Sequence, residues 1–107
     1  MNKTASAMKS AKVYLEMRGY NIIELNWRRS KNRIDIIAEK NSEIYFVEVS
    51  LEGTDNTQVN ASWVSKLHAA GESWVEENKW SKIVHFASIL IDPGNNYSVM
   101  SFSTDIA

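Results

Sequence analysis

Two apolar segments of the chain, RIDIIA and FVEVS, each carry a single carboxylate, Asp35 in the first and Glu48 in the second. Carboxylates held on a rigid sheet are suitable ligands for Mg²⁺ beside phosphate groups. A metal site near phosphate groups is therefore one interpretation of the two acids. The alternative is a polar sheet face on which Arg33 neutralises both acids.

The residues between the two segments predict a tight hairpin. Asn41–Ser42 is suited to a two-residue turn, because Asn tolerates the positive φ that such a turn requires. Antiparallel pairing from this turn places Asp35 opposite Glu48, and Arg33 opposite Ser50. Opposed carboxylates repel, so a proton, an Arg or a metal ion must offset their charge. The other face of this hairpin is predicted to be apolar, with Ile34, Ile36, Val47 and Val49.

The remaining patterns predict an α/β fold that supports this hairpin. Met8, Ala11 and Leu15 form one helical face, and Gly19 is suited to end that helix. Strands on both sides of a second helix indicate a mixed sheet flanked by helices, in the order α-β-β-β-α-β-β. The predicted elements besides the hairpin are a helix at 4–18, a strand at 20–27, a basic turn at 28–32, a helix at 57–77, a strand at 82–92 and a closing strand at 97–102.

The second helix is predicted from an apolar stripe. The stripe residues recur at steps of three or four, which is the period of one helical face. They are Val59, Trp63, Leu67, Ala70 and Trp74.

The composition indicates one globular domain over residues 1–107, since 44% of the residues are hydrophobic. The chain has no Cys, which excludes disulfides and thiolate metal sites. No apolar run reaches the length of a membrane span, so we expect no membrane partner and a cytoplasmic location. Residues 1–40 hold nine Lys and Arg against four Asp and Glu, whereas residues 41–107 hold three against nine. The basic part is suited to a phosphate backbone, or the two parts simply attract each other.

The first half of the chain resembles the UPF0102/YraN family. The matching motifs follow one another at the family's spacing within residues 7–51: a helix ending YLEMRGY, then NWR, IDIIA and FVEV. That family is similar to the restriction-endonuclease-like nucleases of the PD-(D/E)XK class. The resemblance implies a restriction-endonuclease-like mixed sheet flanked by helices, with a metal-dependent nuclease site at the hairpin.

The resemblance assigns roles to individual positions. Asp35 matches the family's metal-binding Asp, and Glu48 matches the Glu of its Glu-x-Lys motif. The carbonyl of Val49 would be a third ligand for Mg²⁺ or Mn²⁺. The motif Lys is Ser50 here, and a Glu of the family is replaced by Arg33. A Ser hydroxyl carries no fixed charge, so we expect weak or no cleavage, although Arg33 could stabilise negative charge on a phosphate.

Two functions are consistent with these residues. The first is a nuclease-related protein that binds DNA or RNA. The second is a catalytically inactive scaffold that binds a protein or forms a homodimer. The residues predicted to contact nucleic acid are Arg28, Arg29, Lys31, Arg33 and Lys66.

Overall fold

The structure is a computed structural model that describes residues 5–53 and 61–106. Within these ranges it has two α-helices and five strands, and their order confirms the predicted α-β-β-β-α-β-β arrangement. The elements are α1 (Ala5–Met17), β1 (Asn21–Arg29), β2 (Asn32–Lys40), β3 (Glu43–Leu51), α2 (Ala61–Asn78), β4 (Val84–Asp92) and β5 (Ser98–Thr104).

The five strands form one mixed sheet with the strand order β1-β2-β3-β4-β5. Neighbouring strands are antiparallel except β3 and β4, which are parallel. Parallel strands require a long crossover connection, and α2 lies in the connection between β3 and β4. The central strand of the sheet is therefore β3, which carries Glu48, Val49 and Ser50.

The hairpin of β2 and β3 has the predicted turn, and its register matches the prediction from the turn as far as Ile36 and Val47. Asn41 and Ser42 have φ values of 55° and 65°, as a type I′ turn requires at both central residues. The paired residues extend from Lys40 and Glu43 beside the turn to Ile36 and Val47. The turn chemistry was thus sufficient to predict how the two strands align near the turn.

The two helices cover opposite faces of the sheet. Val47 and Phe46 are neighbours in β3, so their side chains point to opposite faces. Val47 belongs to a buried cluster that includes Ala11 and Leu15 of α1. Phe46 belongs to a second cluster that includes Trp74 of α2. We call these the α1 face and the α2 face.

The prediction that Ile34 shares a face with Ile36 is wrong. Ile36 packs on the α1 face, whereas Ile34 and Ile37 both pack on the α2 face. Residues three apart lie on one face only if the two-residue alternation of the strand is interrupted between them. Ile36 and Ile37 alternate normally, so the interruption lies between Ile34 and Ile36, and the strand is irregular at its carboxylate, Asp35.

The end of α1 confirms the predicted role of Gly19. Its N–H donates to the carbonyl of Glu16, and the N–H of Tyr20 donates to the carbonyl of Leu15. Gly19 has a φ of 89°. This combination is a Schellman motif, in which Gly adopts the left-handed conformation at low cost.

β1 is longer than predicted. Arg28 and Arg29 were assigned to the basic turn, but both lie in β1, where they pair with Arg33 and Asn32 of β2. The turn itself consists of Ser30 and Lys31. The reason is that cross-strand pairing extends strand geometry through residues whose local sequence favours a loop.

α2 packs on the sheet through the predicted stripe and a glycine. Leu67, Ala70 and Trp74 are buried, whereas Val59 and the predicted helix start lie outside the described residues. A Cβ at Gly71 would be 2.7 Å from Phe86 Cε1 and 2.9 Å from Cδ2 of an adjacent Phe ring in β3. The missing side chain therefore lets α2 approach the sheet closely. No helix in the described residues has the length and apolarity to span a membrane.

Candidate functional site

Asp35 is a buried carboxylate in β2, with 1% of its surface exposed. The Nη2 of Arg33 donates a hydrogen bond to its Oδ1 at 3.0 Å. The backbone N–H of Val49 in β3 donates to its Oδ2 at 2.8 Å. Both carboxylate oxygens are thus engaged, which compensates for burying a charged group away from water.

The bond to Val49 is located where the β2–β3 ladder stops. Ile36 and Val47 are its last paired residues on this side. The predicted Asp35–Glu48 pair would come next but is not part of the ladder. The Asp35 side chain instead occupies the space between the strands and accepts the Val49 N–H. A side chain therefore continues the connection that backbone pairing would otherwise make.

Glu48 and Ser50 lie on β3 beside β4. Their paired residues in β4 are Ser88 and Leu90. Ser50 is buried, at 6% exposure, and Glu48 is half-buried. Val49 between them packs on the α1 face, so strand alternation places both residues on the α2 face. Their catalytic and metal-binding roles remain predictions.

A basic cleft opens beside Asp35 on the α1 side of the sheet. It has a volume of about 530 Å³ and includes Met8 and Leu25 among its apolar lining residues. Residues from α1, β1 and β2 contribute its charges, so three elements must be correctly packed to form it. The charged lining residues are Lys9, Lys12, Arg28, Arg33 and Asp35.

Lys9 and Lys12 are cleft residues that the sequence prediction missed. They lie on α1, and Lys12 also pairs with Glu16 at 3.2 Å. Their signal was the excess of Lys and Arg in residues 1–40. That excess could not locate them, because the orientation of α1 against the sheet depends on tertiary packing.

The other predicted nucleic-acid contacts are distributed around the fold. Arg28 and Arg33 line the cleft. Arg29 forms an ion pair with Glu77 at 3.5 Å, and Lys31 is exposed in the turn after β1. Lys66 is exposed on α2. The cleft therefore brings together two of the five predicted contact residues.

The position of Arg33 bears directly on the predicted metal. Mg²⁺ requires near-octahedral oxygen ligands, and Asp35 would have to supply one of them. The guanidinium already occupies the cation position at this carboxylate, and the second oxygen accepts the Val49 N–H. Among the described residues, no three His, Asp or Glu side chains are grouped to hold a metal ion. The arrangement does not fit a divalent ion at Asp35, because the predicted Mg²⁺ or Mn²⁺ would first have to displace the guanidinium of Arg33.

Comparison with known proteins gives the family of this chain. Residues 9–102 match the family model described as uncharacterised protein family UPF0102. The chain belongs to the UPF0102 family. The match includes both hairpin strands and most of the cleft, so the site is within the part that defines the family.

Relatives of this UPF0102 protein are similar over most of the chain. A UPF0102 protein of Sulfurihydrogenibium sp. is 34% identical over 93 residues, which cover 87% of this chain and 70% of the relative. One from Rhodopseudomonas palustris is 33% identical over 94 residues, covering 82% and 72%. One from Shewanella pealeana is 29% identical over 97 residues, covering 86% and 87%.

A second charged cluster of this UPF0102 protein lies at the turn end of the hairpin. His85 Nδ1 is 2.6 Å from Asp105 Oδ1, and its Nε2 is 2.6 Å from Glu43 Oε1. Its ring also stacks on Tyr45. Two ionised carboxylates accept from both ring nitrogens only if both carry protons. Burial lowers the pKa of His85, but the hydrogen bonds to Asp105 and Glu43 outweigh it, so the pKa is raised overall.

The His85 cluster predicts that stability decreases with rising pH. A raised folded-state pKa gives a stabilisation that is complete below the unfolded value of about 6.5 and disappears as pH rises through the folded-state pKa. We expect the free energy of unfolding to fall by about 1 kcal/mol over this range. The value is this small because Asp105 is largely exposed, so solvent weakens its interaction with His85. Urea unfolding of wild type and His85→Gln measures it. Equal pH dependence in both proteins would contradict the assignment, and Asp105→Asn should show an intermediate effect.

Proposed function

We propose that this UPF0102 protein binds the phosphate backbone of DNA or RNA in the basic cleft, as a nuclease-related protein with weak or no cleavage. The observation that carries the proposal is the cleft itself. Four cations from three elements line it, against the single carboxylate of Asp35. Clustered Lys and Arg in a groove attract phosphate and supply most of the non-specific affinity for nucleic acid.

The pairing of two cleft cations supports an anionic ligand. Arg28 of β1 and Arg33 of β2 are cross-strand partners. Like charges at such positions destabilise a sheet. Asp35 offsets part of the repulsion through its contact with Arg33. A phosphate between the two guanidinium groups would offset the rest, because Arg binds phosphate through two parallel N–H donors.

The replacement of the motif Lys supports weak or absent cleavage. Ser50 stands at that position and is buried, so it offers neither a fixed charge nor a group open to solvent. Nucleophile activation and charge stabilisation in phosphoryl chemistry depend on such a cation. Binding without efficient turnover is therefore the function that these residues favour.

The cleft predicts a specific salt dependence. For duplex DNA the slope of log K against log salt is about −0.9 for each phosphate contact. Replacing Lys9 and Arg28 together by Ala should make the slope shallower by roughly 1.8 and weaken binding of different sequences equally. Fluorescence anisotropy with labelled duplex and single strands measures both quantities.

Lys82→Ala provides the matched control for this experiment. Lys82 precedes β4, near the turn end of the hairpin and away from the cleft-lining residues. The substitution Lys82→Ala removes one positive charge and leaves the cleft residues unchanged, so the slope of log K against log salt should stay close to the wild-type value. Absence of wild-type binding even at low salt would refute the proposal. A loss of affinity in Lys82→Ala equal to that of the double variant would refute it as well.

The second candidate function is a catalytically inactive scaffold that binds a protein or dimerises. Exposed apolar side chains favour it: Met100 on β5 is 50% exposed, and Met17 at the end of α1 is 80% exposed. Such residues are often part of protein interfaces. Light scattering combined with the DNA-binding experiment separates the two functions.

A further inference from the structure

We propose that Arg33 is a built-in cation at Asp35, so that phosphate binding in the cleft needs no divalent metal, and that Asp35 is the residue that positions Arg33. This inference rests on the proposed function, since it assigns how one cleft cation meets phosphate. It differs from that function in predicting the effect of removing a negative charge.

The contact geometry gives Arg33 two environments. Its side chain is 41% exposed, so the guanidinium reaches the solvent side of the cleft. Its Nη2 is nevertheless held at 3.0 Å by a carboxylate that is almost fully buried. A guanidinium has five N–H donors in a rigid plane, so one carboxylate contact leaves donors for a phosphate.

The backbone of β3 holds the carboxylate in place. The N–H of Val49 binds Oδ2 of Asp35 at 2.8 Å, where the ladder between the two strands has ended. Val49 is fully buried in the α1-face cluster, so this donor is held by the core. A chain of contacts therefore leads from the core to the cleft. The Val49 N–H holds the Asp35 carboxylate, and that carboxylate holds the Arg33 guanidinium at the cleft.

This chain of contacts leaves a divalent ion without an accessible position at Asp35. An ion there would stand beside the guanidinium, and two cations in a partly buried site repel. It would also have to replace the contact of Oδ1 with Arg33. The guanidinium supplies a positive charge at the same carboxylate without metal. We therefore expect nucleic acid to bind equally well with EDTA and with Mg²⁺ at constant ionic strength.

Asp35→Asn tests the positioning role. Removing an acid from a phosphate-binding cleft should strengthen binding if Asp35 acts only through its charge. If Asp35 positions Arg33, binding should weaken roughly tenfold and the salt slope should become shallower by about 0.9, as one phosphate contact is lost. Arg33→Ala should give the same slope change, and Arg33→Lys should recover part of the affinity because the charge is retained. Anisotropy with labelled duplex in EDTA measures all three.

Several controls make the result decisive. Circular dichroism confirms that each variant is folded. If Asp35→Asn is not, Arg33→Ala and the comparison of EDTA with Mg²⁺ still test whether Arg33 supplies the cation, because Arg33 is partly exposed. Mn²⁺ titration of the wild type, followed by electron paramagnetic resonance, should show no saturable binding. Three results would each overturn the inference. They are tighter binding by Asp35→Asn, a requirement for Mg²⁺, and Mn²⁺ binding that Asp35→Asn abolishes.

If wild type binds DNA but Arg33→Ala binds equally well, this inference fails and the proposed function stands. If wild type binds no nucleic acid, the proposed function itself fails.

Discussion

Phe46→Ala is expected to lower the free energy of unfolding by about 3 to 4 kcal/mol, the largest loss of stability that we expect from a single substitution in this fold. Phe46 is completely buried on β3. Its ring packs against Trp74 of α2 and Phe86 of β4, with centroids 5.6 Å and 5.5 Å away. The substitution removes the side chain that joins the helix to two strands, and the rigid surroundings can only partly close the cavity.

Denaturant unfolding monitored by circular dichroism measures this loss. Small domains have a free energy of unfolding of about 5 to 15 kcal/mol, so Phe46→Ala would remove a large part of it. Phe102→Ala on β5 is the matched control, since Phe102 is only partly buried and packs at the edge of the α1-face cluster. A loss at Phe46 no larger than that at Phe102 would contradict the packing described for α2.

Gly71→Val is expected to destabilise the protein by about 2 kcal/mol through overcrowding. The Cβ alone would lie within 3.0 Å of both Phe86 and Phe46, and each ring is held in the buried α2-face cluster. Gly is otherwise a poor helix residue, so a gain in helix propensity offsets part of the cost. Thermal and urea unfolding measure the net effect.

The control for Gly71→Val is Glu72→Val. Glu72 is the next residue of α2 and is exposed, so Glu72→Val reports the effect of Val at an uncrowded helix position, together with the loss of its 3.8 Å contact with His68. The double variant Phe46→Ala with Gly71→Val should be less destabilised than the two single effects predict, because the introduced valine side chain then occupies space that the ring vacates. Additive effects would show that the two positions do not share that space.

The fold was predictable where local chemistry decides it. Asn41 and Ser42 set the turn, and the turn set the register up to Ile36 and Val47. Gly19 ended α1 through its left-handed conformation. These features depend on a few neighbouring residues, so a single sequence contains the information needed to predict them.

The candidate site was only partly predictable because its geometry depends on long-range packing. The pattern identified Asp35 and Arg33, but it placed the acid opposite Glu48. The interrupted alternation beside Asp35 moved Ile34 to the α2 face and directed the carboxylate to the N–H of Val49. Hydrophobic periodicity does not anticipate such an irregularity.

The cationic residues of the cleft were also only partly predictable, for the same reason. Arg28 was assigned to a turn because RRSKN is polar, yet pairing with β2 keeps it in the strand. Lys9 became a cleft residue through the way α1 lies on the sheet. Both outcomes were determined by contacts between elements and not by the residues' own neighbours.

The parallel pairing of β3 and β4 has a consequence for synthesis of the chain. The charged cleft residues and Val49 all precede α2, so a growing chain contains them before β4 exists. The meander β1–β3 uses short connections and can form early, whereas β4 must await the crossover. Until then the central strand has one open edge, with Ile44, Phe46 and Val47 in an apolar segment. A nascent chain is therefore most vulnerable to aggregation while it already carries its whole charged cleft.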